Sequence, residues 1–343
     1  MDSLTQAVLG AATYSAVMGK HQGRKALLIG AALGTLPDLD VLIRYADPIS
    51  QMTYHRGASH SLWILTAFAW GLAFLWHKWK KPSYSTKRFG LAIWLALITH
   101  PLIDAMTMYG TQLWYPFTPP PTSWATIFII DPLYTLPMLL ACGYYLFQPS
   151  QSSNKALWLS ILWGCAYFLW GFVGKSVHEN RVRESLEENG IRVERIISNP
   201  TPFNTILWRV VAEDGQDNLY EAYSSWFDQQ APKFRKIPKN THLRRDIWDK
   251  ALLLQRLHWF TDGWLAYEMH GEELVVKDVR MSYLGISVGF EFVVGLDHRD
   301  HWHIITPKRF GTRQPLPEAW FSRLWQRMMG NQQVFAEELG LSS

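Results

Sequence analysis

Six uninterrupted runs of uncharged, mostly apolar residues occupy the first half of the chain. They are Ser3–Gly19, Ala26–Pro37, Gly57–Trp76, Phe89–Ile103, Pro132–Asn154 and Ala156–Gly174. A helix needs roughly 20 apolar residues to cross the bilayer core, and the third, fifth and sixth runs meet that requirement. The others reach it only through polar residues, the second by continuing to about Ile43 and the fourth to about Met108. The pattern predicts a polytopic α-helical membrane bundle of about six helices, with the first pair short or re-entrant.

From about His178 onward the pattern changes to short alternating segments, which are typical of strands in a soluble α+β domain. Six strands are predicted, at Arg192–Ile197, Leu207–Ala212, Leu219–Tyr223, Leu265–His270, Glu273–Asp278 and Ser287–Val294. Gly271 indicates a hairpin between the fourth and the fifth of these predicted strands. Helices are predicted at Asp246–Phe260 and at Pro317–Met329, where Pro317 suits a first turn. We therefore predict two domains, residues 1–175 and 176–343.

The distribution of charge supports this division and suggests an orientation. Residues 1–175 carry 18 formal charges and no glutamate, whereas residues 176–343 carry 44. The loops after predicted helices 1, 3 and 5 hold nine basic residues, and those after helices 2 and 4 hold only Arg44 and Arg56. Because basic loops stay in the cytoplasm, the first set is predicted to be cytoplasmic and the soluble domain extracytoplasmic, that is, periplasmic in a bacterium.

Two global features exclude other classes of protein. The formal net charge of +4 is small and dispersed, so we expect no nucleic-acid partner. The two cysteines, Cys142 and Cys165, both lie in apolar runs. They therefore indicate neither a disulfide framework nor a cysteine-rich zinc site. Membrane lipids are the expected surroundings of the first domain.

Ionisable side chains are concentrated at the ends of the predicted helices that share the outer membrane face. They lie in Pro37–Asp40, His55–Ser61 and Thr99–Asp104, and at Asp131. A carboxylate at membrane depth costs a few kcal/mol, so such groups normally have partners. We therefore expect these groups to converge. The candidate metal ligands are Asp38, Asp40, His55, His60, His100, Asp104 and Asp131.

Imidazole and carboxylate groups without a thiolate suit a hydrolytic divalent-metal site, with zinc the first choice and manganese the second. His100 and Asp104 are four residues apart and share one face of a helix. Seven candidates exceed the needs of one four-coordinate ion, so the site holds one ion or two ions about 3.5–4 Å apart. Arg56 and Asp40 are the candidate catalytic residues. Arg56, with the hydroxyls of Ser59 and Ser61, is placed to hold an anionic group.

Structural roles for the same residues stay open at this point. A single histidine in a membrane helix is often a hydrogen-bonded packing residue, and Asp40 and Asp131 are also suited to capping helix N-termini. The segment Asp297–His303 is rich in metal-capable groups, but it has no second cluster at zinc spacing, so we interpret it as a solvated strand or turn.

Four motifs together resemble a known family. They are Met-Asp-x-x-Thr from residue 1, Leu-Pro-Asp-Leu-Asp from residue 36, His-Arg-x-x-x-His-Ser from residue 55 and Thr-His-x-x-x-Asp from residue 99. This combination resembles the bacterial inner-membrane metal-dependent hydrolases, also described as LexA-binding, inner membrane-associated hydrolases. The resemblance covers about residues 1–140 and continues more loosely in Asn199–Asn204.

The resemblance implies a divalent-metal hydrolase of the bacterial cytoplasmic membrane. The positions that match the family's polar residues are Asp38, Asp40, His55, His60, His100 and Asp104. Association with LexA is implied by the family name alone. Members commonly carry Thr-His where this chain has Thr5-Gln6, so one ligand is missing here or replaced by water.

Three hypotheses follow. The first is hydrolysis of a phosphoester or related ester of a lipid or amphiphile at the outer interface, with Arg56 neutralising the developing oxyanion. The second is a non-catalytic membrane scaffold with a structural metal and a partner-binding soluble domain. The third is a transporter, which the absence of charge from Pro132–Asn154 and Ala156–Gly174 disfavours.

Overall fold

A computed structural model of the chain describes residues 1–284, 286–287, 289–298, 301–311, 319–337 and 339–341. The chain forms two compact units. Unit 1 comprises Met1–Arg44 and Tyr54–Gly171, and unit 2 comprises Tyr45–Thr53 and Phe172–Ser343. The described α-helices are α1 (Ser3–Gln22), α2 (Lys25–Thr35), α3 (Pro48–Tyr54), α4 (Leu62–Lys80), α5 (Thr86–Ala105), α6 (Pro132–Phe147), α7 (Gln151–Glu188), α8 (Leu252–Phe260) and α9 (Trp320–Met328).

Side-chain caps fix where the helices of unit 1 begin. Asp2 caps α1 by accepting from the backbone N–H of Thr5. Ser61 caps α4, Ser85 caps α5 and Asp131 caps α6 in the same way. Each cap satisfies a backbone donor that has no partner inside its helix.

Glycines allow α1 and α2 to pack backbone to backbone. A Cβ atom on Gly10 would lie 2.4 Å from the carbonyl oxygen of Gly30, and one on Gly34 would lie 2.6 Å from the carbonyl oxygen of Gln6. Real Cβ atoms do not approach this closely, so only glycine fits these positions. The close approach brings the C-terminal end of α2 against the first turns of α1.

Each of the six predicted apolar runs contributes to a helix of unit 1, but two of the predicted extensions are wrong. α2 ends at Thr35 and a 3₁₀ helix, Leu36–Leu42, follows it, whereas the sequence predicted a helix to about Ile43. Pro37 explains the break, because proline has no backbone N–H with which to continue the hydrogen bonds of the α-helix, and it is tolerated in the first turn of the 3₁₀ helix. α5 ends at Ala105 instead of about Met108, and Pro101 lies inside it.

By length and composition, two of the described helices, α5 and α7, can cross a membrane. A third span results if the bent pair Pro48–His60 and Leu62–Lys80 counts as one. α2 has only 11 residues, which extend for about 16 Å of a bilayer core of about 30 Å. α1 has 20 residues, but it buries polar side chains such as Gln6 and Thr13 inside the unit.

Unit 2 contains two four-stranded antiparallel sheets and a two-stranded ribbon. The first sheet is a meander of β1 (Arg195–Pro200), β2 (Leu207–Glu213), β3 (Asn218–Ser225) and β4 (Phe234–Pro238). The second sheet comprises β5 (Leu265–His270), β6 (Glu273–Asp278), β9 (Glu291–His298) and β10 (His301–Arg309), in the order β10-β9-β6-β5. The ribbon pairs β7 (Ser282–Tyr283) with β8 (Ile286–Ser287).

Several of these elements differ from the sequence predictions. The β5–β6 hairpin turns at Gly271 as expected, but β4 and β10 lay outside the predicted strands. α8 begins at Leu252 instead of Asp246. Pro317 lies outside the described residues, and the described part of the last helix begins at Trp320.

A buried ion network joins three strands of the first sheet. Glu221 on β3 is fully buried and pairs with Arg209 on β2 and with Arg235 on β4. Burial by itself raises the pKa of the Glu221 carboxyl, but the two arginines outweigh it and hold the pKa below its ordinary value. Unit 2 therefore keeps a charged carboxylate in its interior.

Candidate metal centre

Three segments of unit 1 supply the polar side chains of the candidate site. The 3₁₀ helix carries Asp38 and Asp40, the turn before α4 carries His55 to His60, and α5 carries His100 and Asp104. Arg56 in the turn adopts a left-handed φ of 61°, which is uncommon for a residue with a side chain. With the chain bent there, the backbone N–H of Arg56 donates to Asp40 Oδ2 over 3.0 Å.

Four ligand atoms form a compact tetrahedron in the interior of the unit. They are His60 Nε2, His100 Nε2, Asp38 Oδ1 and Asp104 Oδ2. Five of the six distances between them lie between 3.1 and 3.5 Å. A regular tetrahedron with edges of about 3.3 Å has its centre about 2.0 Å from each corner, which is the usual length of a zinc–nitrogen or zinc–oxygen bond. The four residues can therefore hold a metal ion.

A backbone carbonyl sets the orientation of His100. Its Nδ1 atom lies 2.5 Å from the carbonyl oxygen of Gly34. Because a carbonyl oxygen only accepts, Nδ1 carries a proton, and in the neutral ring Nε2 then turns a lone pair toward the cluster. The close packing of α2 on α1 holds this carbonyl in place.

A hydroxyl does the same for His60. Its Nδ1 atom lies 2.8 Å from Ser59 Oγ, and the Ser59 hydroxyl donates to Asp40 Oδ2 over 2.6 Å. Since the hydroxyl proton points to Asp40, Ser59 Oγ accepts from His60 Nδ1–H. In their neutral forms both imidazoles therefore present an unprotonated Nε2, and a metal-binding histidine commonly donates its other ring N–H in this way.

The second oxygen of Asp104 is held by three donors. Arg56 Nη2 lies 3.2 Å from Asp104 Oδ1, and Gln6 Nε2 donates to the same atom over 3.0 Å. The amino group of Met1 also contacts Asp104 Oδ1. These contacts fix the carboxylate so that its Oδ2 atom faces the two histidines.

The carboxylate atoms that face the cluster lack donors. Within the described part of the chain, Asp38 Oδ1 and Asp104 Oδ2 are buried and accept no hydrogen bond. A buried charged acceptor without a partner costs at least about 1–3 kcal/mol. A divalent cation would satisfy both oxygens, so the residues fit a metal.

A second group of metal-capable residues adjoins the first and is more exposed. It consists of Asp38, Asp40 and His55, so Asp38 belongs to both groups. The side chains of these three residues are 25%, 12% and 22% exposed, whereas those of His60, His100 and Asp104 are fully buried. Asp40 Oδ1 lies 2.7 Å from His55 Nδ1. The site thus has a buried side and a side that solvent reaches.

The structure does not bring Asp131 to either group. Its Oδ1 atom accepts from the backbone N–H groups of Leu133 and Tyr134, and its Oδ2 atom accepts from the hydroxyl of Tyr167. Asp131 therefore occupies the capping role that the sequence left open.

Two other side chains have different surroundings from those expected. The Arg56 guanidinium is buried between Asp104 and the ring of Tyr109, to whose centroid its Cζ lies 4.8 Å. Ser61 caps α4 and donates to the carbonyl oxygen of Tyr115 over 2.6 Å. Ser61 thus does not face the metal-capable groups.

Comparison with known proteins identifies the family of this chain. Residues 1–177 match the family model described as YdjM inner membrane protein, which is more than half of the chain. The chain belongs to the YdjM inner membrane protein family. This confirms the resemblance drawn from the motifs. No match was found among curated proteins or among solved structures.

The part that matches the YdjM family contains every residue of both metal-capable groups and none of the β-strands. The resemblance described above implied a histidine at the position of Gln6. In this chain Gln6 is 1% exposed and supports Asp104, and its Oε1 atom has no hydrogen-bond partner in the described residues. The role of the Gly34 carbonyl as acceptor for His100 could not be predicted from the sequence, although the four-residue spacing of Gly30 and Gly34 is typical of close helix packing.

The histidine-rich segment at 297–303 yields no candidate site among the described residues. His298 ends β9 and His301 begins β10, and the exposed His301 and His303 belong to neither metal-capable group. Arg299 and Asp300 lie outside the described residues. The described part agrees with the interpretation as a solvated strand.

Proposed function

We propose that this chain is a metal-dependent hydrolase of the bacterial cytoplasmic membrane that cleaves a phosphoester or related ester of a lipid or amphiphile. The observation that carries the proposal is the tetrahedron of two imidazole nitrogens and two carboxylate oxygens. Hydrolytic zinc sites use histidine and carboxylate ligands, whereas structural zinc sites are rich in cysteine. The family supports the membrane location.

Zinc suits the buried group best, because two nitrogens and two oxygens in a tetrahedron match its preferences, whereas manganese prefers six oxygen ligands. When bound, such an ion supplies Lewis-acid chemistry, lowering the pKa of water and neutralising an oxyanion. Asp38 is shared by both groups, and we propose that a second divalent ion is held by Asp38, Asp40 and His55.

The exposed side of the site gives the substrate its approach. Asp38, Asp40 and His55 are the partly exposed members, so a substrate would bind with its scissile bond beside them. Arg56 keeps Asp104 in position and balances the negative charge of the carboxylates. Its Nε atom is buried without a hydrogen-bond partner among the described residues, so a substrate oxyanion that entered the site would have a donor there.

One observation favours a second candidate, a non-catalytic scaffold with a structural metal. Four protein ligands close the coordination shell of a tetrahedral ion, and structural sites are closed. The two proposals differ in the exposed group, because a structural role requires only the buried ion. Counting ions per chain therefore separates them.

The decisive measurement is metal analysis of detergent-purified protein. We expect about two divalent ions per wild-type chain, with zinc in the buried group. His100→Ala removes a ligand of the buried group, and we expect it to lose zinc. His55→Ala should retain one ion. His77→Ala is the matched control, because His77 on α4 hydrogen-bonds to the backbone oxygens of Ala73 and Tyr84 and belongs to neither metal-capable group.

A measurement of turnover distinguishes a hydrolase from a non-catalytic scaffold. The wild type should hydrolyse bis(p-nitrophenyl) phosphate in detergent, lose this activity with a chelator and regain it with Zn²⁺. A protein that holds one tightly bound zinc and shows no turnover is the scaffold. A wild type that binds no divalent ion refutes both candidates.

The proposal includes a topology with the metal centre and the C-terminal domain at the outer face, in which the first pair, α1 and α2, is short or re-entrant. A reporter fused after residue 343 should then behave as extracytoplasmic, and one inserted between Lys80 and Lys87 as cytoplasmic. A cytoplasmic reporter after residue 343 would contradict the topology and mean an odd number of crossings.

A further inference from the structure

Helix α9 of unit 2 has a buried side and an exposed apolar side. Its buried side includes Trp320 and Leu324. Four residues apart on the other side, Phe321, Trp325 and Met329 are 59%, 60% and 41% exposed. Side chains at this spacing line one face of a helix. Large apolar groups so exposed in a row are unusual on a soluble domain.

Two loop residues add to this surface. Phe203 and Phe227 are 38% and 49% exposed, and the ring of Phe203 lies 6.0 Å from that of Phe321. We call Phe203, Phe227, Phe321, Trp325 and Met329 the aromatic face. The face therefore combines α9 with two loops of the first sheet.

The aromatic face lies beside the part of α7 that continues the apolar run. Phe172 and Val173 on α7 belong to unit 2 and are 39% and 50% exposed. The next residue, Gly174, packs on Trp208, where a Cβ atom would lie 2.7 Å from the indole. Trp208 Nε1 donates to the carbonyl oxygen of Thr205, two residues after Phe203.

A second connection runs through the end of β3. Arg181 on α7 donates to the carbonyl oxygen of Ser225, and the Ser225 hydroxyl donates to the carbonyl oxygen of Met328 on α9. Phe227 is two residues further along the chain. The aromatic face thus adjoins the segment of α7 between Phe172 and Arg181.

We propose that the aromatic face rests on the interfacial layer of the membrane that α7 crosses. Tryptophan and other aromatic side chains favour that layer, and an amphipathic helix with aromatic residues on one side binds there. Residues 320–328 contain no acid, and of their two arginines Arg327 is buried and paired with Asp228, so the partly exposed Arg323 is the one that suits an anionic lipid surface. Phe172 and Val173, on the segment of α7 to which the face is linked through Trp208 and Ser225, are exposed apolar residues as well. This inference does not depend on hydrolase activity.

The test measures how deep single positions lie in a bilayer. The full chain, with Cys142→Ser and Cys165→Ser, is reconstituted in nanodiscs of phosphatidylethanolamine and phosphatidylglycerol. Phe321→Cys and Trp325→Cys are spin-labelled one at a time, and power-saturation EPR compares access of oxygen with access of a water-soluble nickel complex. The control is Gln216→Cys, in the exposed turn at the end of β2 that is remote from Trp208.

We expect the ratio of oxygen access to nickel access to be several-fold higher at positions 321 and 325 than at position 216. Nickel access equal to that of position 216 at both positions would overturn the proposal. A label shielded from both reagents would also overturn it, because a protein surface would then cover the face. The two labelled positions provide independent measurements if one variant fails to fold.

Discussion

Replacing Ser59 by alanine tests how the candidate metal centre is supported. The Ser59 hydroxyl accepts from His60 Nδ1 and donates to Asp40 Oδ2, at 2.8 and 2.6 Å. Without it, the charged acceptor that faces His60 Nδ1 is Asp40 Oδ2, at 3.7 Å. That distance is too long for a hydrogen bond. Ser59→Ala therefore frees the ring of His60 without removing a ligand.

The size of the effect follows from the role of Ser59. Loss of an outer-shell partner typically weakens metal binding by about 10–100-fold. This corresponds to about 1.4–2.7 kcal/mol of binding free energy. Ser59 is only partly buried and the substitution removes one oxygen atom, so we expect little change in the free energy of unfolding of the metal-free protein.

The assay is a zinc titration of metal-free protein in detergent, in competition with a chromophoric chelator, together with thermal unfolding. Ser61→Ala is the matched control, because it removes the same atom two residues away. Ser61 caps α4, so this variant should lose about 1 kcal/mol of stability and keep its zinc affinity.

A zinc dissociation constant of Ser59→Ala within twofold of the wild-type value would refute the reasoning. The hydroxyl would then not orient His60, and the tautomer assigned to that ring would be wrong. Equal losses of affinity in both serine variants would point to a general loosening of the turn.

Two further predictions concern stability. Gly34→Ala places a Cβ atom 2.6 Å from the Gln6 carbonyl oxygen and should cost about 1–3 kcal/mol, whereas Gly71→Ala meets nothing within 4 Å and should be neutral or stabilising; equal melting temperatures would contradict this. Because the pKa of Glu221 is lowered in the folded state, its contribution to stability is complete above the ordinary pKa of about 4.3 and is lost as the pH falls through the folded value. Glu221→Gln should remove this part of the acid dependence in denaturant unfolding between about pH 7 and 3, and an unchanged slope would exclude Glu221 as its source.

The apolar pattern predicted the helices of unit 1 because burial of apolar residues dominates there. The pattern predicted the end of a helix wrongly where a single residue determines the backbone conformation, as at Pro37, which ends α2 early. It also took the length of an apolar run as evidence for a crossing. α1 has the length of a span, but its composition, with polar residues such as Gln6 and Thr13, leaves it outside the helices that are apolar enough to cross a membrane.

In unit 2 the strands with clear alternation were found, and two edge strands were missed. β4 (Phe234–Pro238) contains two basic residues and a proline, and β10 is largely exposed, so neither shows a regular apolar alternation. Edge strands commonly carry charge and proline, which protects them from pairing with other chains. Their pattern is therefore weak for a physical reason.

The sequence predicted which side chains of the site would converge, apart from Asp131, but not what supports them. His60 and His100 gave a signal because imidazoles stand out in apolar segments. Their hydrogen-bond partners could not be recognised in the sequence, because Ser59 is one serine among many and the acceptor at Gly34 is a backbone atom. The placement of Arg56 against Asp104 depends on the left-handed turn, which motif spacing does not reveal.

The two histidines differ in how easily mutation can disturb them. The group that receives the His100 proton is the Gly34 carbonyl, which every amino acid at that position would also possess, so only a shift in the path of the chain removes it. The group that receives the His60 proton is a side-chain hydroxyl, which a single nucleotide change can delete. The orientation of His100 therefore relies on a backbone atom that no substitution deletes, whereas the orientation of His60 depends on one serine codon.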